Sequence, residues 1–146
     1  VHPTRCGEFL DFPEGPDAYL EALLAVGREG AGGARPLCAA VGECGLDYDR
    51  LEFCPRDVQL REFERQLEGL AKPLGLPLFL HCRTAEAAKD LLELLAKHRG
   101  HLADPPGVVH SFDGRLEDAL AFIRLGFYIG LNGCSLRTAE NLEGVK

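Results

Sequence analysis

The chain has 146 residues, 46% of them hydrophobic and 27% charged, with a formal net charge of −7. That length supports one domain with a real core, and the acidic balance argues against nucleic-acid binding through a broad basic surface. No apolar run approaches the roughly 20 residues needed to cross a bilayer, so no membrane partner is expected.

The chain opens on Val1 and contains no Met, which reads as a piece of a longer protein. A first helix is expected over 17–27, "DAYLEALLAVG", with Tyr19, Leu20, Leu23, Leu24 and Val26 on one broad face. "REGAGGARP" then reads as a flexible connection, and "LCAAVGE" as a short buried strand ending at Glu43. A loop, "GLDYDRLEFCP", follows. Pro55 can open the next helix, where its missing N–H costs nothing. That helix should run to about residue 71 on a Leu60, Phe63, Leu67 and Leu70 face. Pro73, Gly75 and Pro77 lead into a second strand, "LFLHC".

Thr84 is a fitting N-cap for the next helix, whose inner stripe is Ala87, Ala88, Leu91, Leu92 and Leu95. "RGHLADPPG" is a turn-rich loop before a third strand, "VVH". A helix from Leu116 to about Leu125 should turn Leu116, Ala119, Leu120 and Ile123 inward, with Gly126 closing it. "FYIGLNG" is a fourth strand, and Thr138 can cap a last helix.

Short, nearly continuous apolar strands alternating with helices suit a parallel sheet covered by helices. Both a barrel and an open doubly wound sheet fit that pattern. Polar placement favours the barrel: Glu43, His81, His110 and Asn132 each end a different strand, and barrels gather strand ends on one active face. No Gly-rich phosphate fingerprint follows the first strand. Two imidazoles and a carboxylate would leave open positions on one divalent ion, as catalytic metal sites do. Taken singly, a His at a strand end is more often a half-buried hydrogen-bonding residue; three candidate ligands at equivalent ends raise the metal reading above it.

Six cysteines, Cys6, Cys38, Cys44, Cys54, Cys82 and Cys134, include no Cys-x-x-Cys pair. A zinc ribbon is therefore not expected, and a reducing intracellular compartment is. Cys44 and Cys82 read as packing beside the site. His98 and His101 read as solvent-exposed.

The segments "GECGLDYDR", "LPLFLHCR" and "GVVHSFDG", in that order, resemble the metal-binding segments of the TatD family of metal-dependent deoxyribonucleases, above all its eukaryotic branch. "VHPTRCGEF" and "YIGLNGCSL" also match segments of that family. The resemblance spans nearly the whole chain apart from residues 27–36. It implies a TIM barrel of the amidohydrolase type and hydrolysis of DNA phosphodiester bonds by a metal-activated water. It implies two divalent ions, Mg²⁺ or Zn²⁺, with Glu43 as the catalytic bridging carboxylate and His81 and His110 as ligands of one of them.

The family's first strand, often bearing His-x-His, and its last-strand Asp in a Thr-Asp context have no counterpart here. Residues 1–146 thus read as the central part of a single barrel domain, a partial (β/α)₈ barrel lacking its first and last strands. Such a chain alone is expected to bind one ion and to hydrolyse little. Arg83 reads as a phosphate contact or a rim ion pair, Asp47 as orienting Glu43 or substrate, and His2 as approaching substrate. DNA is the expected partner in the nucleus or cytoplasm, with no obligate protein partner. An amidohydrolase-like enzyme of a small substrate, or a non-catalytic binding fragment, would use the same platform.

Overall fold

The computed structural model describes residues 1–31 and 37–137. A 3₁₀ turn over Pro3–Arg5 precedes α1 (Glu8–Asp11) and α2 (Pro16–Ala31). Then follow β1 (Val41–Asp47), α3 (Arg56–Gln66), a π-helical turn over Leu67–Ala71, α4 (Lys72–Leu74) and β2 (Leu78–Arg83). The chain continues through α5 (Ala85–His98), β3 (Gly107–Val109), α6 (Leu116–Arg124) and β4 (Tyr128–Ile129). Among the described residues no helix is long and apolar enough to cross a membrane.

The strands form one parallel sheet in the order β1-β2-β3-β4. Each strand therefore lies beside the next, and the order never reverses as it does in a doubly wound sheet. One face of the sheet carries Val41, Cys44, Leu46, Leu78, Leu80, Cys82 and Val109, which join Phe63, Leu67, Leu91, Leu95 and Phe122 in the core. The alternating positions, Glu43, Phe79, His81 and Asp47 among them, turn to the other face. This is the arrangement of a barrel wall, with helices outside and chemistry inside.

β1 is displaced from its expected span. It does not end at Glu43; it begins at Val41 and runs to Asp47. Its register against β2 shifts between Gly42 and Cys44, which pair with Phe79 and Leu80. Glu43 is the extra residue of a bulge. The bulge lets Val41 and Cys44, three apart, both face the helices, which strict alternation forbids. The peptide between Gly42 and Glu43 is cis.

α2 continues four residues into the expected connection, and Val26 lies 70% exposed rather than inward. Residues 32–36 and the expected cap at Thr138 fall outside the described residues. Thr84 caps α5 as expected, accepting from Ala87 N–H at 3.2 Å. It does so at φ +86°, a region that β-branched residues rarely enter.

α6 packs on a different face from the one expected. Phe122 and Asp118 are buried, whereas Leu116, Leu120 and Ile123 are about half exposed. The helix carries two apolar stripes, and hydrophobicity alone does not rank them. β4 is shorter than "FYIGLNG", and Asn132 lies in a turn beyond it.

Candidate metal centre

Three elements deliver the site. β1 supplies Glu43 from its bulge, β2 supplies His81 from mid-strand, and His110 follows β3 directly. His110 N–H donates to the Leu80 carbonyl at 2.9 Å, which keeps it level with His81. Space for this convergence comes from a missing side chain: a Cβ on Gly45, at φ +132°, would stand 2.0 Å from the His81 carbonyl oxygen.

Glu43 Oε1 is the focus. It lies 2.9 Å from His81 Nδ1, 2.6 Å from His110 Nε2 and 3.6 Å from His2 Nε2. Each of the two nearer imidazoles is held through its other nitrogen. His81 Nε2 donates to Asp47 Oδ2 at 3.0 Å. His110 Nδ1 lies 3.0 Å from Ser111 Oγ, and Phe79 stacks on the same ring at a centroid distance of 4.3 Å and 12° between planes. Burial pushes the Glu43 carboxyl up, and the neighbouring imidazoles of His110 and His81 outweigh that, so it titrates below its ordinary value. Burial is also the main cause of the lowered His2 value, with His81 adding to it.

Asp47 is fully buried. Oδ2 accepts from Arg50 Nη1 at 2.8 Å as well as from His81, and Oδ1 accepts from Asp49 N–H at 3.1 Å. With both oxygens accepting, His81 carries its proton on Nε2 and turns the Nδ1 lone pair toward the Glu43 carboxylate. Two acceptors that close call for a cation between them.

Glu43, His81 and His110 offer three donor atoms mutually within 4.8 Å. Both imidazoles are backed by outer partners, as metal-ligating histidines usually are. The set fits one divalent ion. His2, Asp47 and His81 form a second group within the same limit, sharing His81 with the first.

Asp47 orients His81 rather than Glu43. His2 faces Glu43 and His81, its ring 4.6 Å from that of His81. Arg83 is ion-paired with Asp113 at the rim, in a cleft of about 840 Å³ that Arg50, Thr84, Phe112 and Arg137 also line. Cys44 and Cys82 are packing residues: burial pushes their thiols up to about 11 and about 12, so neither presents a thiolate. His98 is corrected. It is buried, and its Nε2 lies 2.8 Å from Glu64 Oε1, which also accepts from Lys97. His101 is exposed, as expected.

Sequence reasoning missed three contributors. Phe79 and Ser111 were visible only as neighbours of the histidines. Gln59 gave no local signal. Its side-chain amide accepts from Asp47 N–H and donates to the Asp47 carbonyl, both at 2.8 Å, and donates also to the Cys54 carbonyl at 2.8 Å.

Consecutive βα units with a carboxylate and two imidazoles gathered inside them define a partial TIM barrel of the amidohydrolase type. The family model described as "TatD related DNase" matches residues 1–145, and the chain belongs to that family. A relative named deoxyribonuclease Tat-D, from Schizosaccharomyces pombe, is 46% identical over 146 residues, covering 100% of this chain and 45% of its own length. A 3'-5' ssDNA/RNA exonuclease TatD from Rahnella is 44% identical over 143 residues, covering 97% of this chain and 51% of its own length. The chain thus spans about half the length of these curated relatives.

Among solved structures, an uncharacterized amidohydrolase from Saccharomyces cerevisiae superposes with a TM-score of 0.83 at 29% identity, covering 99% of this chain and 50% of its own. A TatD family hydrolase from Entamoeba histolytica gives 0.74 at 33% identity, covering 99% of this chain and 44% of its own.

Proposed function

We propose that the protein is a divalent-metal-dependent deoxyribonuclease that hydrolyses phosphodiester bonds in DNA. One observation carries this reading: Glu43 Oε1 is met by two imidazole nitrogens whose partner nitrogens are both held from behind. Glu43, His81 and His110 would hold one divalent ion, and Glu43 would be shared with a second. Two imidazoles favour Zn²⁺ over Mg²⁺, which prefers oxygen ligands. A bound divalent ion supplies Lewis acidity toward a phosphate oxygen and toward the attacking water.

The chain's own groups do the rest. Asp47 holds the His81 ring with its lone pair facing Glu43. His2 stands where it can meet substrate beside Glu43. Arg83 and Arg50 line the neighbouring cleft and supply positive charge to a phosphate backbone, which an overall net charge of −7 would otherwise repel. The protein acts in the nucleus or cytoplasm, where its six free cysteines stay reduced.

The test is hydrolysis of DNA by the whole protein, measured with added Zn²⁺ or Mg²⁺, after chelation, and with Glu43→Ala. Activity should require the metal and vanish in the variant. Undiminished turnover by Glu43→Ala would overturn the reading. A parallel panel of amides, esters and lactones separates it from an amidohydrolase of small substrates.

A further inference from the structure

Ser111 follows His110 directly and sits at φ +48°, a left-handed conformation uncommon outside Gly, Asn and Asp. That conformation leaves its Oγ 3.0 Å from His110 Nδ1. On the other side Asn132 Nδ2 donates to Ser111 Oγ at 2.6 Å. The orientation of the Asn132 amide follows from its own turn. Its Oδ1 accepts from Cys134 N–H at 2.8 Å and from Ser135 N–H at 3.3 Å, so the nitrogen must face Ser111. Phe79, stacked on His110, holds the ring plane.

A hydroxyl that already accepts one N–H keeps one lone pair and one proton. Two neutral arrangements of His110 are therefore satisfied at this place. When Nε2–H donates to Glu43 Oε1, the Ser111 hydroxyl donates to Nδ1. When Nε2 presents its lone pair to a cation, the imidazole proton stands on Nδ1 and Ser111 accepts it. The imidazole keeps one proton in both arrangements, exchanged through solvent, and the hydroxyl turns about its C–O bond. His81 has no such freedom, because the Asp47 carboxylate only accepts.

We infer that Ser111 and Asn132 are positioning residues for His110, forming a reversible hydroxyl joint that lets the neutral imidazole offer either an N–H or a lone pair to the Glu43 position. The metal-facing half of this inference rests on the reading given under the proposed function; the metal-free half does not. The joint also gives Asn132 a reason to lie beyond β4 in a turn rather than on the strand.

The test reads the imidazole proton directly, by ¹⁵N correlation spectra of the histidine rings with and without Zn²⁺. The unsubstituted protein should hold the His110 proton on Nε2 without metal and on Nδ1 with it. Asn132→Asp keeps an oxygen for the Cys134 and Ser135 N–H groups but turns an acceptor toward Ser111. The hydroxyl must then donate to the new carboxylate, so His110 should carry its proton on Nδ1 even without metal. Ser111→Gly suits φ +48° and removes only the joint. Its Zn²⁺ affinity should fall by about 10–100-fold with no loss of thermal stability, which a merely structural role would not produce.

An Asn132→Asp protein that keeps the metal-free proton on Nε2, or a Ser111→Gly protein that binds Zn²⁺ as tightly as the unsubstituted one, would overturn the joint. Rings of His81 and His110 that ignore Zn²⁺ in the unsubstituted protein would instead defeat the metal reading. The metal-free spectrum of Asn132→Asp would still decide the joint in that case.

Discussion

At the scale of single residues, Asp47 sets the direction in which the site works. Its two oxygens meet three N–H groups, from His81, Arg50 and Asp49. Asp47→Asn keeps the shape but cannot serve all three. Whichever way the amide turns, it meets an N–H that it cannot accept. The His81 ring then loses its fixed proton on Nε2, and Zn²⁺ affinity measured by calorimetry should drop about tenfold or more. Affinity equal to that of the unsubstituted protein would show that Asp47 does not orient the ring. His81→Ala removes one of the three proposed donor atoms and should abolish measurable binding of the first ion in the same experiment. If His81→Ala binds undiminished, His81 is no ligand.

At the scale of elements, β1 is finished by a side chain. The Gln59 amide pairs with both backbone groups of Asp47, as a neighbouring strand would. Gln59→Leu leaves buried backbone groups without partners, at about 1–3 kcal/mol for each. Chemical denaturation should therefore show a loss of at least about 2 kcal/mol, with a matching fall in metal affinity as Asp47 loosens. A stability change under about 0.5 kcal/mol, the usual range for surface substitutions, would contradict that role.

α3 and α5 are joined by Glu64, which accepts from Lys97 and His98. Those hydrogen bonds, Lys97 first, hold the Glu64 carboxyl below its ordinary value of 4.5 against the upward push of burial. As pH falls, the unfolded chain takes up this proton before the folded one. The contribution is thus full above about 4.5 and is lost as pH drops through the folded value. Glu64→Gln should flatten this part of the acid-stability curve, and an unchanged curve would assign the acid sensitivity elsewhere.

The same elements show what the sequence discloses. His81 and His110 were legible because each follows an apolar run with an abrupt polar residue, a local contrast. The bounds of β1 were not, because a bulge breaks the period of two on which the reading depends. His98 and Gln59 were misread or missed because their partners lie 34 and 12 residues away along the chain. The buried face of α6 depended on which of two apolar stripes the sheet would choose, and that choice is made by tertiary packing.

At the scale of the whole molecule, the two sides of the sheet differ. The β1 side is covered at its tip by Gln59 and the Pro3–Arg5 turn. Beyond β4, Leu116, Leu120, Ile123, Ile129 and Leu131 border a shallow apolar groove, and Tyr128 is 64% exposed. Surfaces of this kind promote association. Sedimentation of the 146-residue chain should show concentration-dependent self-association, and Leu120→Lys with Ile123→Glu should reduce it. A monomer at all concentrations, with or without those changes, would remove this face as its cause.

The bulge at Glu43 has one more consequence. Upstream of it an odd-numbered residue, Val41, faces the helices; downstream the even-numbered Cys44 and Leu46 do. Straightening the bulge without removing a residue would act as a frameshift in three dimensions. No residue type would change, yet every position upstream would exchange inside for outside, and Val41 would swing from the core into the cavity. The strand can therefore tolerate many substitutions on either side of that point, but not a regular ladder at its present length.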